Sequence, residues 1–138
     1  MNSNRKSLKT VVQARKYVDE GGDKEAKIFE GDCCYKNFTP LASAAFEGRI
    51  NVIRFLLSKH VNVNNQSGKF NDTALKLASY RGHTDILQLL IQNHADVNAR
   101  DNTNYTALLS ASFHGHTDTV QLLIETHADV DARDKDNE

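Results

Sequence analysis

Apolar residues recur along most of the chain in pairs of short runs, and both runs of a pair have the spacing of an α-helix. The first run of each pair is rich in small residues, with apolar positions at Leu41, Ala44 and Ala45, at Leu75 and Ala78, and at Leu108 and Ala111. The second run is more apolar and lies at 52–57, 86–91 and 120–124. Helices this short are marginal on their own. The pattern therefore predicts helices that are stabilised by packing on their neighbours.

The helix pairs belong to an internal repeat. Segments 39–49, 73–83 and 106–116 align, and their glycines Gly48, Gly82 and Gly115 are 34 and then 33 residues apart. The histidines that follow each second run keep the same two intervals, at His60, His94 and His127. Two independent landmarks that keep one period over three copies indicate a stack of near-identical units.

The residues between the two runs predict how each unit turns. Gly82 and Gly115 can adopt the positive φ of a helix end. Thr84 with Asp85, and the equivalent pair at 117–118, are predicted to offer side-chain oxygens to the free N–H groups that begin the second helix. The polar segments after the second helix, such as 100–104, are predicted to form hairpin-like loops.

The repeated unit resembles the ankyrin repeat, whose pattern is T-P-L-H-x-A-A, then G-H, an apolar helix and G-A-D-V-N. The resemblance rests on segments such as 39–45, 82–83 and 95–98 and covers residues 38–134. It implies an all-α ankyrin-repeat solenoid, in which helix-turn-helix units with β-hairpin loops stack into a curved array. The implied division is an N-terminal cap or degenerate repeat at 1–37, repeats at 38–70 and 71–103, and a repeat at 104–138 that includes the start of a further hairpin.

The chain departs from the family pattern at several positions, and two of them predict structural differences. The motif His is replaced in the three copies by Ala42, Lys76 and Leu109. In the family this His ties the hairpin to the helix, so its loss predicts looser loops. The histidines at 60, 94 and 127 stand where the family has Gly, and we expect a positive φ there, which His tolerates better than most residues.

The two ends fit the repeat less well. Residues 7–20 are predicted to form an amphipathic helix that ends at Gly21 and Gly22 and caps the first repeat. At the other end Val120, Leu123 and Ile124 are as apolar as their equivalents inside the stack, although terminal repeats normally present a polar outer face. We therefore expect either a fragment of a longer protein or a last repeat that frays.

Composition narrows the class of protein. The formal net charge is only -1, with 17 Lys and Arg against 18 Asp and Glu, which argues against a strongly basic nucleic-acid surface. The two cysteines, Cys33 and Cys34, are adjacent, and neighbouring residues fit disulfide geometry poorly. Two thiols that form no disulfide are typical of a protein in a reducing compartment. No apolar stretch has the length of a signal peptide or membrane span. We expect an intracellular protein, cytoplasmic or nuclear, with no membrane partner.

The chain contains none of the common catalytic motifs. It has no G-x-S-x-G, H-E-x-x-H, GxGxxG or P-loop sequence. His60, His94 and His127 recur once per repeat, so their spacing assigns them a structural role rather than a shared metal site. We predict no catalytic residues, no metal and no cofactor.

Candidate partner-binding residues follow from the resemblance. In the family, the residues just before the T-P-L motif and just before the G-H turn vary with the partner. Seven of the ten aromatic residues fall in these positions, and aromatic residues and Arg are enriched at interface centres. We predict a partly exposed concave strip of Tyr35, Lys36, Phe38, Phe46, Glu47, Lys69, Phe70, Asp72, Tyr80, Arg81, Asn102, Thr103, Tyr105, Phe113 and His114. The alternative is that some rings, such as Phe46 and Phe113, only pack against the neighbouring helix.

The leading functional prediction is a non-catalytic, monomeric module that binds a protein or peptide on this strip, either alone or as part of a larger adaptor or effector. The alternative is nucleic-acid or oligonucleotide binding, because the basic and aromatic residues of the strip could hold stacked bases. The neutral charge balance, with Glu47 and Asp72 in the same strip, disfavours that alternative.

One modification is predicted from the resemblance. Leu90 followed by 96–98 is similar to the hairpin sequence that the asparaginyl hydroxylase of the hypoxia pathway modifies in many ankyrin proteins, and Asn98 would be the modified residue. The structural alternative is that the Asn98 side chain hydrogen-bonds locally to the loop backbone.

Overall fold

The computed structural model describes residues 37–136. Six α-helices in this range form three consecutive pairs, here called the first, second and third repeats. The helices are α1 (Pro40–Glu47), α2 (Ile50–Ser58), α3 (Ala74–Arg81), α4 (Thr84–Gln92), α5 (Ala107–Phe113) and α6 (Thr117–Glu125). Within this range the structure contains no β-strand. The predicted N-terminal cap helix, with Tyr35 and Lys36, lies outside the described residues.

The first helix of each repeat begins at a threonine. The hydroxyl oxygens of Thr39, Thr73 and Thr106 each accept a hydrogen bond from the backbone N–H three residues further on, at 3.2 to 3.3 Å. These bonds satisfy N–H groups that have no partner inside the helix. At the other end α1 and α3 stop at glycines with φ 76 and 72°, Gly48 and Gly82. The prediction of positive φ at Gly82 and Gly115 is confirmed.

The predicted caps of the second helices are confirmed only at Asp85, whose Oδ1 accepts a hydrogen bond from the first-turn Ile86 N–H at 2.8 Å. The N-cap residues of α4 and α6 are His83 and His116, and neither side chain makes a capping bond. The tight turn brings the His83 N–H onto the Ala78 carbonyl oxygen at 2.9 Å, so α4 begins directly after α3. The Thr84 hydroxyl instead pairs with the Thr119 hydroxyl at 2.8 Å, which joins the second repeat to the third.

Stacking of like helices holds the repeats together. The first helices pack in the order α1, α3, α5, and the second helices pack in the order α2, α4, α6. A single apolar cluster runs through all three repeats, and its fully buried members include Ile53, Leu56, Leu87, Leu90 and Leu123. Helices of seven to nine residues gain their stability from this shared burial rather than from intrinsic propensity.

The loops between repeats are joined by asparagine side chains. Oδ1 of Asn64 accepts a hydrogen bond from the Asp96 N–H at 2.7 Å, and Oδ1 of Asn98 accepts one from the Asp129 N–H at 2.7 Å. Each bond runs from one repeat to the next. In the described residues the predicted hairpins contain one isolated antiparallel bridge, between Ser67 and Asp72, so the loops are mainly turns.

The histidines that replace the family glycine have the expected backbone conformation. The φ angles of His60, His94 and His127 are 58, 69 and 70°. This prediction is confirmed, and the three residues are exposed. Their side chains therefore point to solvent while the backbone makes the turn.

The third repeat exposes apolar side chains whose equivalents in the second repeat are half-buried. Leu123 is fully buried, but Ile124 is 50 % and Val130 64 % exposed. Their equivalents in the second repeat, Ile91 and Val97, are half-buried and pack against the apolar cluster. The fraying predicted for the last repeat stays a prediction.

Candidate functional site

The first helices of the repeats (α1, α3 and α5) and the loops that precede them line an open cavity of about 450 Å³. We call it the aromatic pocket, and its lining comprises Phe38, Phe46, Phe70, Asp72, Lys76, Leu77, Tyr80, Asp101, Thr103, Tyr105, Ser110, Phe113 and His114. Nine of the fifteen residues predicted to bind a partner are in this set. Lys76, Leu77, Asp101 and Ser110 were not among the predicted residues.

The other predicted residues lie beside the pocket or outside the described range. The Arg81 guanidinium carbon lies 4.8 Å from the centre of the Phe46 ring, and Lys69 Nζ lies 5.4 Å from the centre of the Phe70 ring. The Asn102 N–H donates to the Phe70 carbonyl oxygen at 2.9 Å. Glu47 accepts a hydrogen bond from Ser43 and lies 3.5 Å from Arg49. Tyr35 and Lys36 are not described.

A row of rings crosses the three repeats along one wall of the pocket. The ring centres of Phe46 and Tyr80 are 6.1 Å apart, those of Tyr80 and His114 are 4.2 Å apart, and those of His114 and Phe113 are 5.1 Å apart. Phe38 continues the row with its ring 6.2 Å from that of Phe46. These spacings are typical of packed aromatic pairs.

Exposure along this row rises from the first repeat to the third. Phe46, Tyr80 and Phe113 occupy the equivalent position in successive repeats, and they are 9, 39 and 76 % exposed. The Phe46 ring contacts Tyr80 of the second repeat and the Tyr80 ring contacts His114 of the third, whereas Phe113 contacts only His114 of its own repeat among the ring pairs of residues 37–136. Phe46 therefore packs against its neighbour, as the structural alternative predicted, whereas Phe113 presents most of its surface to solvent. Phe38 is buried in a small apolar cluster with Phe46 and Leu77, where its ring fills the space beside Gly68.

Lys76 holds the polar side of the pocket together. Its Nζ donates to Asp72 Oδ1 at 2.7 Å and to Asp101 Oδ2 at 2.5 Å. Asp72 precedes α3 in the second repeat, and Asp101 belongs to the loop that leads to the third. The bond to Asp101 thus links two repeats through a side chain that stands where the family has His. The prediction of looser loops is wrong at this position.

Asp101 organises the loop that carries Tyr105. Its Oδ1 accepts hydrogen bonds from the Thr103 N–H at 2.7 Å, the Thr103 hydroxyl at 2.7 Å and the Tyr105 N–H at 2.9 Å. Both carboxylate oxygens are therefore occupied. The loop is fixed so that Thr103 and Tyr105 line the pocket.

The three charged groups have shifted ionisation. Burial raises the pKa of Asp72, and the nearby Lys76 ammonium only partly opposes that effect. Burial acts to raise the pKa of Asp101 as well, but hydrogen bonds from Lys76, Thr103 and Tyr105 outweigh it and hold the pKa below the ordinary value. Burial acts to lower the pKa of Lys76, whereas the two carboxylates outweigh burial and raise it. Lys76 is therefore firmly cationic, and Asp72 is the undercompensated group.

Asn98 lies in the exposed loop between the second and third repeats. Its own side chain bonds to Asp129 of the next repeat, while its N–H donates to Asp96 Oδ1 at 2.9 Å. The side chain thus joins two repeats rather than bonding only within its loop. Hydroxylation of Asn98 stays a prediction, and mass spectrometry of Asn98 after exposure to the hydroxylase would test it.

Two further features bear on the class of protein. Between residues 37 and 136 no helix has both the length and the apolar character needed to cross a bilayer. In the same part of the chain no group of three or more His, Cys, Asp or Glu side chains is arranged to hold a metal ion.

Paired short helices that stack like on like, with one apolar cluster through all pairs, define a helical repeat solenoid. A family model described as ankyrin repeats (3 copies) matches residues 59–134, and a model of the single ankyrin repeat matches residues 36–68. The chain belongs to the ankyrin-repeat family, whose domains are generally modules for protein–protein interaction and typically lack catalytic activity. No curated protein matches the chain.

Proposed function

We propose that this chain is a non-catalytic module that binds a protein or peptide partner in the aromatic pocket. The observation that carries the proposal is the pocket itself, in which consecutive repeats bring aromatic rings onto one open cavity. Phe113 leaves three quarters of its surface exposed beside Tyr80. Burying such rings on a partner stabilises a complex because they bring a large apolar area at a small cost in entropy.

The rings are held in place before any partner arrives. Tyr80 contacts Phe46 and His114, and the loop of Tyr105 is fixed by Asp101. These side chains therefore lose little conformational entropy when a partner binds, which favours binding. As part of the same proposal, the module is a monomer that works inside the cell, where Cys33 and Cys34 remain reduced.

The charge distribution disfavours nucleic acid as the partner. Residues 71–136 contain ten Asp and Glu but only five Lys and Arg. A polyphosphate backbone would meet a net negative surface over two of the three repeats, and counterion release would supply little affinity. Titration with single-stranded RNA at two salt concentrations separates the two cases, because binding through phosphates weakens steeply as salt rises.

A capture experiment with matched variants tests the proposal. The wild-type chain and the variant Tyr80→Ala/Tyr105→Ala/Phe113→Ala are immobilised, and the captured proteins are compared by mass spectrometry. The control variant is Ile124→Ala/Val130→Ala, which removes exposed apolar side chains of the third repeat that do not line the pocket. We expect the pocket variant to lose proteins that the wild type and the control both retain. Equal capture by all three chains, with melting curves that show intact folds, would overturn the proposal.

A further inference from the structure

We propose that the aromatic pocket takes an arginine side chain of the partner, with the guanidinium paired to Asp72 and stacked on the pocket rings. The inference rests on the proposed function and names the chemistry that the pocket recognises. Three observations carry it, namely an unoccupied carboxylate oxygen, a set of ring faces that already attract cations, and an apolar wall for the side-chain stem.

The first observation is the imbalance of charge in the pocket lining. Two carboxylates, Asp72 and Asp101, share a single ammonium group, that of Lys76. Asp101 has both oxygens occupied, whereas for Asp72 the structure shows a bond to Oδ1 alone. Oδ2 of Asp72 is not among the fully buried side-chain atoms that lack a hydrogen-bond partner in residues 37–136, so it keeps some access to solvent, although the Asp72 side chain is only 6 % exposed. A carboxylate in an apolar cavity is stabilised by a second positive charge.

The ionisation of Asp72 agrees with this imbalance. Burial keeps its pKa above the ordinary value even though Lys76 is in contact. The single ammonium therefore does not fully compensate the buried carboxylate. A guanidinium that donates to Oδ2 would supply the missing charge and hydrogen bond together.

The second observation is that cations of this chain already lie over rings of the same surface. Arg81 lies over Phe46, Lys69 over Phe70 and Lys76 over Tyr105, with separations from the ring centres of 4.8, 5.4 and 5.9 Å. Arg81 and Lys69 are exposed, so water and salt screen their repulsion of an incoming cation. The faces of Tyr80 and Phe113 have no such cation among the contacts seen in residues 37–136.

The third observation is the shape of the cavity. Leu77 and the row of rings form a wall of apolar atoms beside the carboxylates. Arginine can lay its methylene stem along such a wall and reach a carboxylate with its planar head. Lysine can follow the same path and place its ammonium over a ring, but it lacks the planar guanidinium, which stacks on a ring face while it donates to a carboxylate. The arrangement therefore favours arginine over lysine.

A titration with small probes tests the proposal on the full chain. Nuclear magnetic resonance spectra of the isotope-labelled protein are recorded with N-acetyl-L-arginine methylamide, with the lysine analogue, and with the citrulline analogue, which has the shape of arginine without its charge. We expect the arginine probe to shift the amide signals of residues 72, 76, 101–105 and 110. It should bind about tenfold more tightly than the citrulline probe, as a charge-assisted hydrogen bond implies. Equal affinities for the two probes, or shifts confined to other surfaces, would overturn the proposal.

Variants assign the effect to Asp72. Asp72→Asn should weaken the arginine probe about tenfold and remove its advantage over citrulline. The matched control, Asp118→Asn on the exposed face of α6, should leave both affinities unchanged. If the spectrum of Asp72→Asn shows a disrupted fold, Phe113→Ala serves instead, since that ring is exposed and its loss should weaken the arginine probe about threefold. Unchanged binding in a folded variant of either kind would contradict the assignment.

The two proposals fail in different ways. If proteins are lost from the pocket variant in the capture experiment but no arginine probe binds, the module binds a partner through other chemistry. If the arginine probe binds while capture is the same for all variants, the pocket has the proposed chemistry but does not hold the partner.

Discussion

The imidazole of His116 lies directly against Gly82 of the preceding repeat. A Cβ atom on Gly82 would come within 2.6 Å of His116 Nδ1, and Nε2 of the same ring lies 2.9 Å from the Tyr80 carbonyl oxygen, to which it must donate. The His116 side chain therefore packs the end of α3 in the second repeat against the start of α6 in the third repeat. His83 packs against Gly48 in the same way, although its Nε2 has no partner among the described residues.

Because of this contact, we expect substitution by alanine to destabilise the fold more at Gly82 than at Gly115, although the two glycines have similar backbone conformations. Gly82 and Gly115 have φ of 72 and 71°, but a Cβ on Gly115 would meet nothing within 4 Å. Gly115→Ala should cost about 1 kcal/mol for the left-handed backbone alone, and Gly82→Ala should cost about 2–4 kcal/mol because it also displaces His116. Urea unfolding followed by circular dichroism measures both. Equal losses would show that His116 moves aside freely.

Asn98 should contribute to the coupling of the second and third repeats. Asn98→Ala removes the acceptor of the Asp129 N–H and should lower the free energy of unfolding by about 1 kcal/mol. Asp131 occupies the equivalent position of the third repeat, and its side chain makes no hydrogen bond within residues 37–136. Asp131→Ala should therefore change stability by less than about 0.5 kcal/mol. A similar loss in both variants would indicate a local loop effect instead.

Asp101 should stabilise the fold in a manner that depends on pH. Asp101→Asn replaces the carboxylate that accepts hydrogen bonds from Lys76, Thr103 and Tyr105 with a weaker acceptor. At neutral pH this change should lower the free energy of unfolding by about 2–3 kcal/mol. Because the folded pKa of Asp101 lies below its ordinary value of 3.8, this stabilisation is complete above that value and is lost as the pH falls through the lowered pKa. The stability difference between wild type and variant, measured by chemical unfolding at several pH values, should shrink only on the acid side. A constant difference down to strongly acidic pH would contradict the lowered pKa.

Phe46 and Phe113 should differ in what their removal affects. Phe46→Ala empties a buried site and should cost about 3–5 kcal/mol of stability. Phe113→Ala removes an exposed ring and should change stability by less than about 0.5 kcal/mol, so any loss of partner binding would reflect the surface itself. Thermal unfolding of the two variants makes the comparison. A large loss of stability in Phe113→Ala would mean that the ring packs against the fold after all.

The last helix should be the least protected. In the described residues α4 packs against both α2 and α6, whereas α6 packs on α4 and on its own partner α5. Backbone amides in Thr117–Glu125 should therefore exchange with solvent faster than those in Thr84–Gln92, because local opening there costs less buried area. Hydrogen exchange followed by mass spectrometry compares the two segments. Equal protection in a monomer would contradict the predicted fraying.

Local chemistry explains which features could be predicted. The helix pairs, the glycine ends and the positive φ at His94 and its equivalents follow from spacing and backbone preference, which act within a few residues. Of the predicted cap at Thr84 and Asp85, the Asp85 part is confirmed. The Thr84 part is wrong because the tight turn after Gly82 leaves no extended residue in front of α4, and the Thr84 hydroxyl bonds to Thr119 of the next repeat.

The aromatic pocket shows more clearly which features could not be predicted from the sequence. The sequence indicated most of its rings from their positions in the repeat, but it gave no sign that Lys76 would hold Asp72 and Asp101 together. Asp101 is 25 positions from Lys76, and a contact at that separation depends on how two repeats stack. Whether a ring at one repeat position is buried like Phe46 or exposed like Phe113 also depends on the repeat that follows it.

The amino-acid sequence by itself determined the repeating unit, its short helices and the family to which the chain belongs, because each unit encodes its turns and its apolar face locally. Only the tertiary structure decided which charges meet, which rings remain open and where a partner could enter. Those properties arise between units, at distances along the chain over which residue preferences carry no information, and they are fixed by packing one repeat on the next.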